Sequence, residues 1–355
     1  METIYNASAT DFEMQVQAML LMKAFDDICD KAKGKIRIVP LKGIDLVRFL
    51  YADTLDRELK DIDLLVMPAE KSSAGTPSSS RAHLNTLSPL RGIIDLLQND
   101  GYRPEFSFAL DETALKKKKK VSMLSNSDRK PNVDVHLALI TKKFFSTTIN
   151  GFNDDAISRT KAVDDVVSVL DGTDRWLYLA SHLTFHFLHG EKWFRDLILL
   201  MDRFDEAELA LLVERTKQYN FERIVSAVYS RMISIYPKIA GRIDMEQLLP
   251  DRSGKRFLRY MEYLEAHPKK IGRGLRLARY YWEFVFISKK SQRRRCFMRL
   301  IFPSLGDLQN IYRCHASVAI LLYLPNMLIN ALGVLLFSAQ YLAFSTLLSK
   351  QIHAK

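Results

Sequence analysis

Apolar positions in the first 140 residues change their spacing several times, and each change marks an element. From Ser8 to about Lys33 they recur at Phe12, Val16, Met19, Leu20, Met22, Phe25 and Ile28, the helical period, which predicts one amphipathic helix. Ile36 to Val39 is short and β-rich and predicts a strand. Gly43 breaks the pattern, after which Ile44 to Tyr51 returns to helical spacing. Asp61 to Val66 and Val133 to Leu139 predict two further strands, and Leu90 to Asn99 a helix stopped by Gly101. Less regular runs at Phe106 to Leu110 and Val121 to Leu124 predict strands on either side of five lysines, Lys116 to Lys120. Lys71 to Pro89, rich in Ser, Thr, Gly and Pro, predicts a long loop.

Beyond Gly151 the pattern becomes helical. Trp176 to Leu188, Phe194 to Phe204, Ala207 to Tyr219, Phe221 to Tyr236 and Arg256 to Ala266 each repeat at that period. The expected class is α+β, in four parts. Residues 1–35 form an N-terminal helix packed on a mixed sheet-and-helix core at 36–150; 151–268 form a helical domain; 269–355 form a basic segment and an apolar tail.

Composition narrows the class. A chain of 355 residues, 48% of them hydrophobic, can bury about two domain cores and is neither a disordered tail nor a disulfide-held miniprotein. Three cysteines, Cys29, Cys296 and Cys314, show no paired spacing, which predicts a reducing compartment. The first residues, Met-Glu-Thr-Ile-Tyr-Asn, lack the basic and apolar regions of a signal peptide, so a cytoplasmic location is expected.

The net charge of +11 is concentrated. Lys255 to Arg299 holds 14 basic and 3 acidic residues, an excess of +11, which leaves the rest of the chain neutral. Aromatic residues interleave with these cations (Arg279, Tyr280, Tyr281, Trp282), a pattern that suits single-stranded nucleic acid or an anionic membrane surface. Ala316 to Ser349 then carries no formal charge, which favours the membrane over nucleic acid. Pro325, Asn326 and Asn330 interrupt that stretch, leaving open a span, an interfacial or re-entrant helix pair, and a buried helix. The preceding basic segment places any attachment at the inner face.

The candidate chemistry lies at the mouth of the second strand. Residues two apart on a strand point to one face, so Asp61 and Asp63 project together while Ile62 turns into a core. Like charges held so close repel, and a divalent cation resolves the conflict. Asp134, in Val133-Asp134-Val135-His136, offers a third carboxylate on another strand, and three such groups can hold two Mg²⁺ ions. Lys42-Gly43 stands at a strand-to-helix turn, where glycine allows close approach and a helix N-terminus favours phosphate. His136 beside Asp134 is expected to support the site from behind.

The run "PLKGIDLVRFLYADTLDRELKDIDLLV", followed by "VDVH" and "HLTFHFLHGEKWFRDLILLM", resembles a bacterial nucleotidyltransferase family of the DNA polymerase beta-like superfamily. The resemblance implies a Mg²⁺-dependent enzyme that moves a nucleoside monophosphate from an NTP to an unidentified acceptor, such as a sugar or polysaccharide intermediate. It implies Asp61, Asp63 and Asp134 as catalytic metal ligands, with Lys42, Gly43 and Arg57 at the nucleotide. Most of the superfamily carries Gly-Ser or Gly-Gly where this chain has Lys42-Gly43, so Lys42 would supply charge in place of a hydroxyl, as in related Lys-Gly-Gly toxins. Arg57 would contact phosphate or brace Asp61. A tRNA-modifying, toxin-like enzyme and a non-catalytic membrane-bound nucleotide-binding scaffold are the alternatives.

Two patterns favour plainer readings. His182, His186 and His189 fall at i, i+4 and i+7, a spacing able to bind metal, but Leu183, Phe185 and Phe187 make the segment apolar, so packing is expected. Lys116 to Lys120 reads as a solvated hairpin tip, with capture of a polyanion as the alternative. Asp196 is expected to anchor the helical part.

Overall fold

The computed structural model describes residues 9–53, 57–69, 87–105, 120–127, 130–140, 151–186, 188 and 190–248, with short pieces between 286 and 332. The chain forms two compact units. The first comprises residues 1–142, 151–182 and 190–212; the second comprises 143–150, 183–189 and 213–355.

The first unit is built on a five-stranded mixed sheet. Its strands are β1 (Ile36–Leu41), β2 (Ile62–Pro68), β3 (Tyr102–Pro104), β4 (Lys120–Ser125) and β5 (Val133–His136), in the order β1-β2-β5-β4-β3. β2 and β5 run parallel, and every other neighbouring pair is antiparallel. β2, Ile-Asp-Leu-Leu-Val-Met-Pro, is buried over its first six residues, as expected of an interior strand covered on both faces. A short hairpin, β6 (Lys161–Ala162) with β7 (Ser168–Val169), follows α4 (Phe152–Ser158). It guards the outer edge of β1, where the Ile38 N–H donates to the Val166 carbonyl at 2.8 Å.

One face of the sheet packs on α1 (Ala9–Ala32) and α3 (Ser88–Asn99). Ile36, Ile38, Ile62, Leu64, Val66, Val133 and Val135 meet Leu21, Phe25, Ile28, Ile93 and Leu97 in a single core. The buried stripe of α1 is Ala18, Leu21, Phe25, Ile28 and Ala32, whereas Val16, Met19 and Leu20 are exposed. The expected face was therefore rotated at its N-terminal end: small Ala18, not Met19, fits beneath the sheet. Pro89 belongs to the first turn of α3 rather than to the preceding loop, because a first-turn proline gives up no helical hydrogen bond.

The opposite face carries the odd residues of β2 and the even residues of β4 and β5. The chain also forms helices α2 (Lys42–Phe49), α5 (Gly172–Phe185) and α6 (Glu191–Arg203). The Asp171 carboxylate accepts from the Thr173 amide at 3.2 Å and starts α5. That helix ends at Phe185, not Leu188, because Leu188 takes a left-handed backbone (φ 56°) and donates back to the Leu183 carbonyl. His186 thus lies beyond the helix, and His189 lies outside the described residues. His182 instead meets Trp193 edge to face, ring centroids 5.7 Å apart. A last helix, α7 (Glu206–Gln218), leads from the first unit into the second.

In the second unit, α8 (Glu222–Ile235) packs on a short 3₁₀ turn (Pro237–Ile239) and α9 (Met245–Leu248). The buried Tyr229 hydroxyl ties this together: it donates to the Ile239 carbonyl and accepts from the Ile243 amide at 3.1 Å. The expected strand at 106–110, helix at 256–266, lysines 116–119 and most of the apolar stretch 316–349 lie outside the described residues. Where that stretch is described, Ile320, Leu321, Leu324, Leu328, Ile329 and Leu332 are exposed. No helix among the described residues is long and apolar enough to cross a membrane.

Candidate active site

Strand register decides which acids meet. Asp63 stands opposite Asp134 on the parallel strands β2 and β5, and Leu41, the last residue of β1, stands opposite Asp63. The chain therefore leaves β1 beside Asp63 and turns at once into α2. Lys42 makes that turn with a left-handed backbone, φ 51°, which is costly for a non-glycine residue and persists only where its surroundings fix it. Its Nζ donates to Asp63 Oδ1 at 2.8 Å.

Asp63 is almost fully buried, and His136 Nε2 lies 3.0 Å from the same Oδ1. Burial alone would raise its pKa, but the Lys42 charge and the His136 hydrogen bond overcome this and hold the carboxyl well below the usual range. Burial pushes His136 the other way, favouring neutral imidazole, against the opposing pull of Asp63. The His136 Nδ1 is buried without a hydrogen-bond partner. Asp134, less buried, pairs through Oδ2 with Lys120 Nζ. Asp61, just before β2, is exposed, yet local burial and the neighbouring Asp63 charge raise its pKa.

Ligand atoms of Asp63, Asp134 and His136 all lie within 4.8 Å of one another. Hard carboxylate oxygens from adjacent strands suit Mg²⁺ or Mn²⁺, and the imidazole, already bonded to Asp63, suits orienting that carboxylate. The donor set fits a divalent cation.

A second polar layer supports the Lys42-Gly43 turn. Arg57 grips Asp196 of α6 through Nε and Nη2, at 2.9 Å to Oδ1 and 2.9 Å to Oδ2 respectively, and the Tyr51 hydroxyl donates to the same carboxylate at 2.7 Å. The brace expected on Asp61 thus closes on Asp196, a fully buried acid that needs a charged partner. A Cβ on Gly43 would fall 2.8 Å from Arg57 Nη1 and 2.7 Å from Leu59 Cδ2, so glycine is what lets the guanidinium lie against the turn. Arg203 of α6 donates to the Phe49 and Leu50 carbonyls and closes the end of α2. Arg175 of α5 lies 2.9 Å from Asp45 of α2. Even so, burial, only partly offset by Arg175 and Arg57, pushes the Asp45 carboxyl up to about 6. Tyr178 of α5 is buried with its hydroxyl unpartnered, and burial together with the charges of Asp63, Asp45, Asp134 and Asp61 raises its pKa well above the ordinary value.

Sequence reasoning missed Lys120, Asp45, Arg175 and Tyr178. The one available signal was parity: Lys120 sits three residues before Met123, an inward core position, and therefore on the opposite face, the one carrying the acids.

No curated protein matches the chain. Residues 88–232 match the model of a family described as uncharacterised nucleotidyltransferase, a stretch that begins after Asp63 and includes Asp134, His136, Asp196 and all of α4 to α7. Over those residues the chain is similar to that family.

Proposed function

We propose that the chain is a Mg²⁺-dependent nucleotidyltransferase that moves a nucleoside monophosphate from an NTP to an acceptor hydroxyl or phosphate. The observation that carries this reading is the pairing of Asp63 with Asp134 at one register position, beside a strained Lys42 turn. Asp61, Asp63 and Asp134 would hold the metal, and His136 would keep Asp63 oriented. When bound, the metal supplies charge neutralisation for the triphosphate and activation of the attacking oxygen. Lys42 and the Gly43 amide at the start of α2 face the phosphates, where a helix N-terminus and an ammonium both favour negative charge. Arg57 acts on the turn and not on phosphate, since its guanidinium is committed to Asp196. Asp134, the more exposed of the two paired acids, would take the acceptor proton.

The exposed apolar residues between 320 and 332, next to the basic segment, support work at an anionic membrane surface on a membrane-linked sugar or polysaccharide intermediate. Purified protein incubated with each labelled NTP, Mg²⁺ and fractionated cell extract tests the activity. Label transferred to one fraction, and lost in Asp63→Asn, is the expected result. No transfer from any NTP, with the fold intact, overturns it.

A further inference from the structure

Lys120 ends a run of five lysines and begins β4, opposite His136. Strand alternation turns its side chain to the face of Asp134 and His136, where its Nζ reaches Asp134 Oδ2. Lys42 makes the matching contact at Asp63 Oδ1 from the β1–α2 turn. Each carboxylate of the parallel pair thus has its own ammonium. Lys42 comes from the end of β1 and Lys120 from the start of β4, on opposite sides of the two central strands.

Two ammonium groups and a divalent cation would compete for these two carboxylates. The carboxylate lone pairs are limited, and like charges at contact distance repel. A metal held by both Asp63 and Asp134 would stand against both Nζ groups, and that repulsion would favour their leaving. Lysine suits such a move, because its compact charge rides on a flexible four-carbon stem, and the Lys120 side chain is already 31% exposed. A triphosphate bound with the metal would offer negative oxygens to an ammonium released from its carboxylate.

We propose that Lys120 is a phosphate-binding residue of the nucleotide site, which exchanges Asp134 for the triphosphate when metal and nucleotide enter together. The inference rests on the nucleotidyltransferase reading and extends it. Metal alone would work against two ammonium groups, and nucleotide alone would meet two carboxylates, so each should bind weakly and the two cooperatively.

The test uses the full chain and its Lys120→Gln and Lys120→Arg variants, with Mn²⁺ binding followed by water-proton relaxation and NTP and NMP binding by calorimetry. Without nucleotide, Lys120→Gln should bind Mn²⁺ about fivefold tighter, because the competing ammonium beside Asp134 is gone. With Mn²⁺ saturating, it should bind NTP on the order of tenfold more weakly, one charged phosphate contact being lost, and NMP unchanged. Lys120→Arg should restore NTP binding. If Lys120→Gln alters neither ligand, or alters Mn²⁺ alone, Lys120 is only a countercharge to Asp134 and the proposal falls while the enzyme reading stands. If the wild-type chain binds neither Mn²⁺ nor NTP, both readings fall.

Discussion

Asp61 and Asp63 are two residues apart and have opposite stakes in the fold. Asp63 is buried and shared by Lys42 and His136, so Asp63→Ala leaves an ammonium without its partner in a largely closed site. Its unfolding free energy should drop by about 3 kcal/mol in denaturant titration. Asp61→Asn removes a charge that burial and Asp63 already disfavour, so stability should hold or rise while Mn²⁺ binding weakens. A stable Asp63→Ala would show that Lys42 is not held by that carboxylate. Asp45 gives the pH dependence. Its carboxyl, ordinarily near 4, is pushed up to about 6 by burial, so folding takes up a proton between those values. The burial penalty is full at neutral pH and is lifted as pH falls through that window. Relative to Asp45→Asn, the wild-type chain should therefore gain about 1 kcal/mol between pH 7 and pH 5, read from paired unfolding curves. A constant difference would mean that Asp45 titrates normally.

Elements, not residues, explain why Arg57 chose its partner. Asp196 lies 139 residues away on α6, and only the docking of α6 beside α2 brings the pair together, so no local pattern around Arg57 could reveal it. The strand-turn-helix-strand order from Ile36 to Val66 was legible because apolar period, Gly43 and the Asp-Ile-Asp parity all act within about 30 residues. The short strand β3 and helix α4 were not, since three and seven residues are too few to display a period. The face of Lys120 was hidden by its neighbours, four identical lysines that suggest solvent and mask the start of β4. The same docking yields a test. Asp196→Ala strands the buried guanidinium and should cost about 3–5 kcal/mol. Replacing both partners, Arg57→Met with Asp196→Leu, should recover most of that loss yet still weaken NTP binding, because the Gly43 turn loses the group that lies against it. Full stability in Asp196→Ala alone would show that the pair contributes nothing.

For the molecule as a whole, charge and site are separate features of the sequence. The basic excess lies in Lys255–Arg299, far along the chain from the carboxylates, so a form ending near Phe302 should keep Mn²⁺ and NTP binding while losing the apolar residues from Ile320 on. Full-length protein should co-sediment with phosphatidylserine vesicles in high salt and the shortened form should not; equal behaviour of the two would remove the tail from any membrane role. The parallel pairing of β2 with β5 also governs how the site comes into being. Asp63 and Asp134 are 71 residues apart in sequence, and β5 enters the sheet between β2 and β4, so the pair closes only once two distant parts of the chain have been brought together. Because closing that distance costs chain entropy before the contact is made, the pair is expected to form after the transition state. A cation bound there should leave the refolding arm of a chevron plot unmoved and slow the unfolding arm alone, so that metal acts on this protein as a brake on opening and not as a nucleus for assembly.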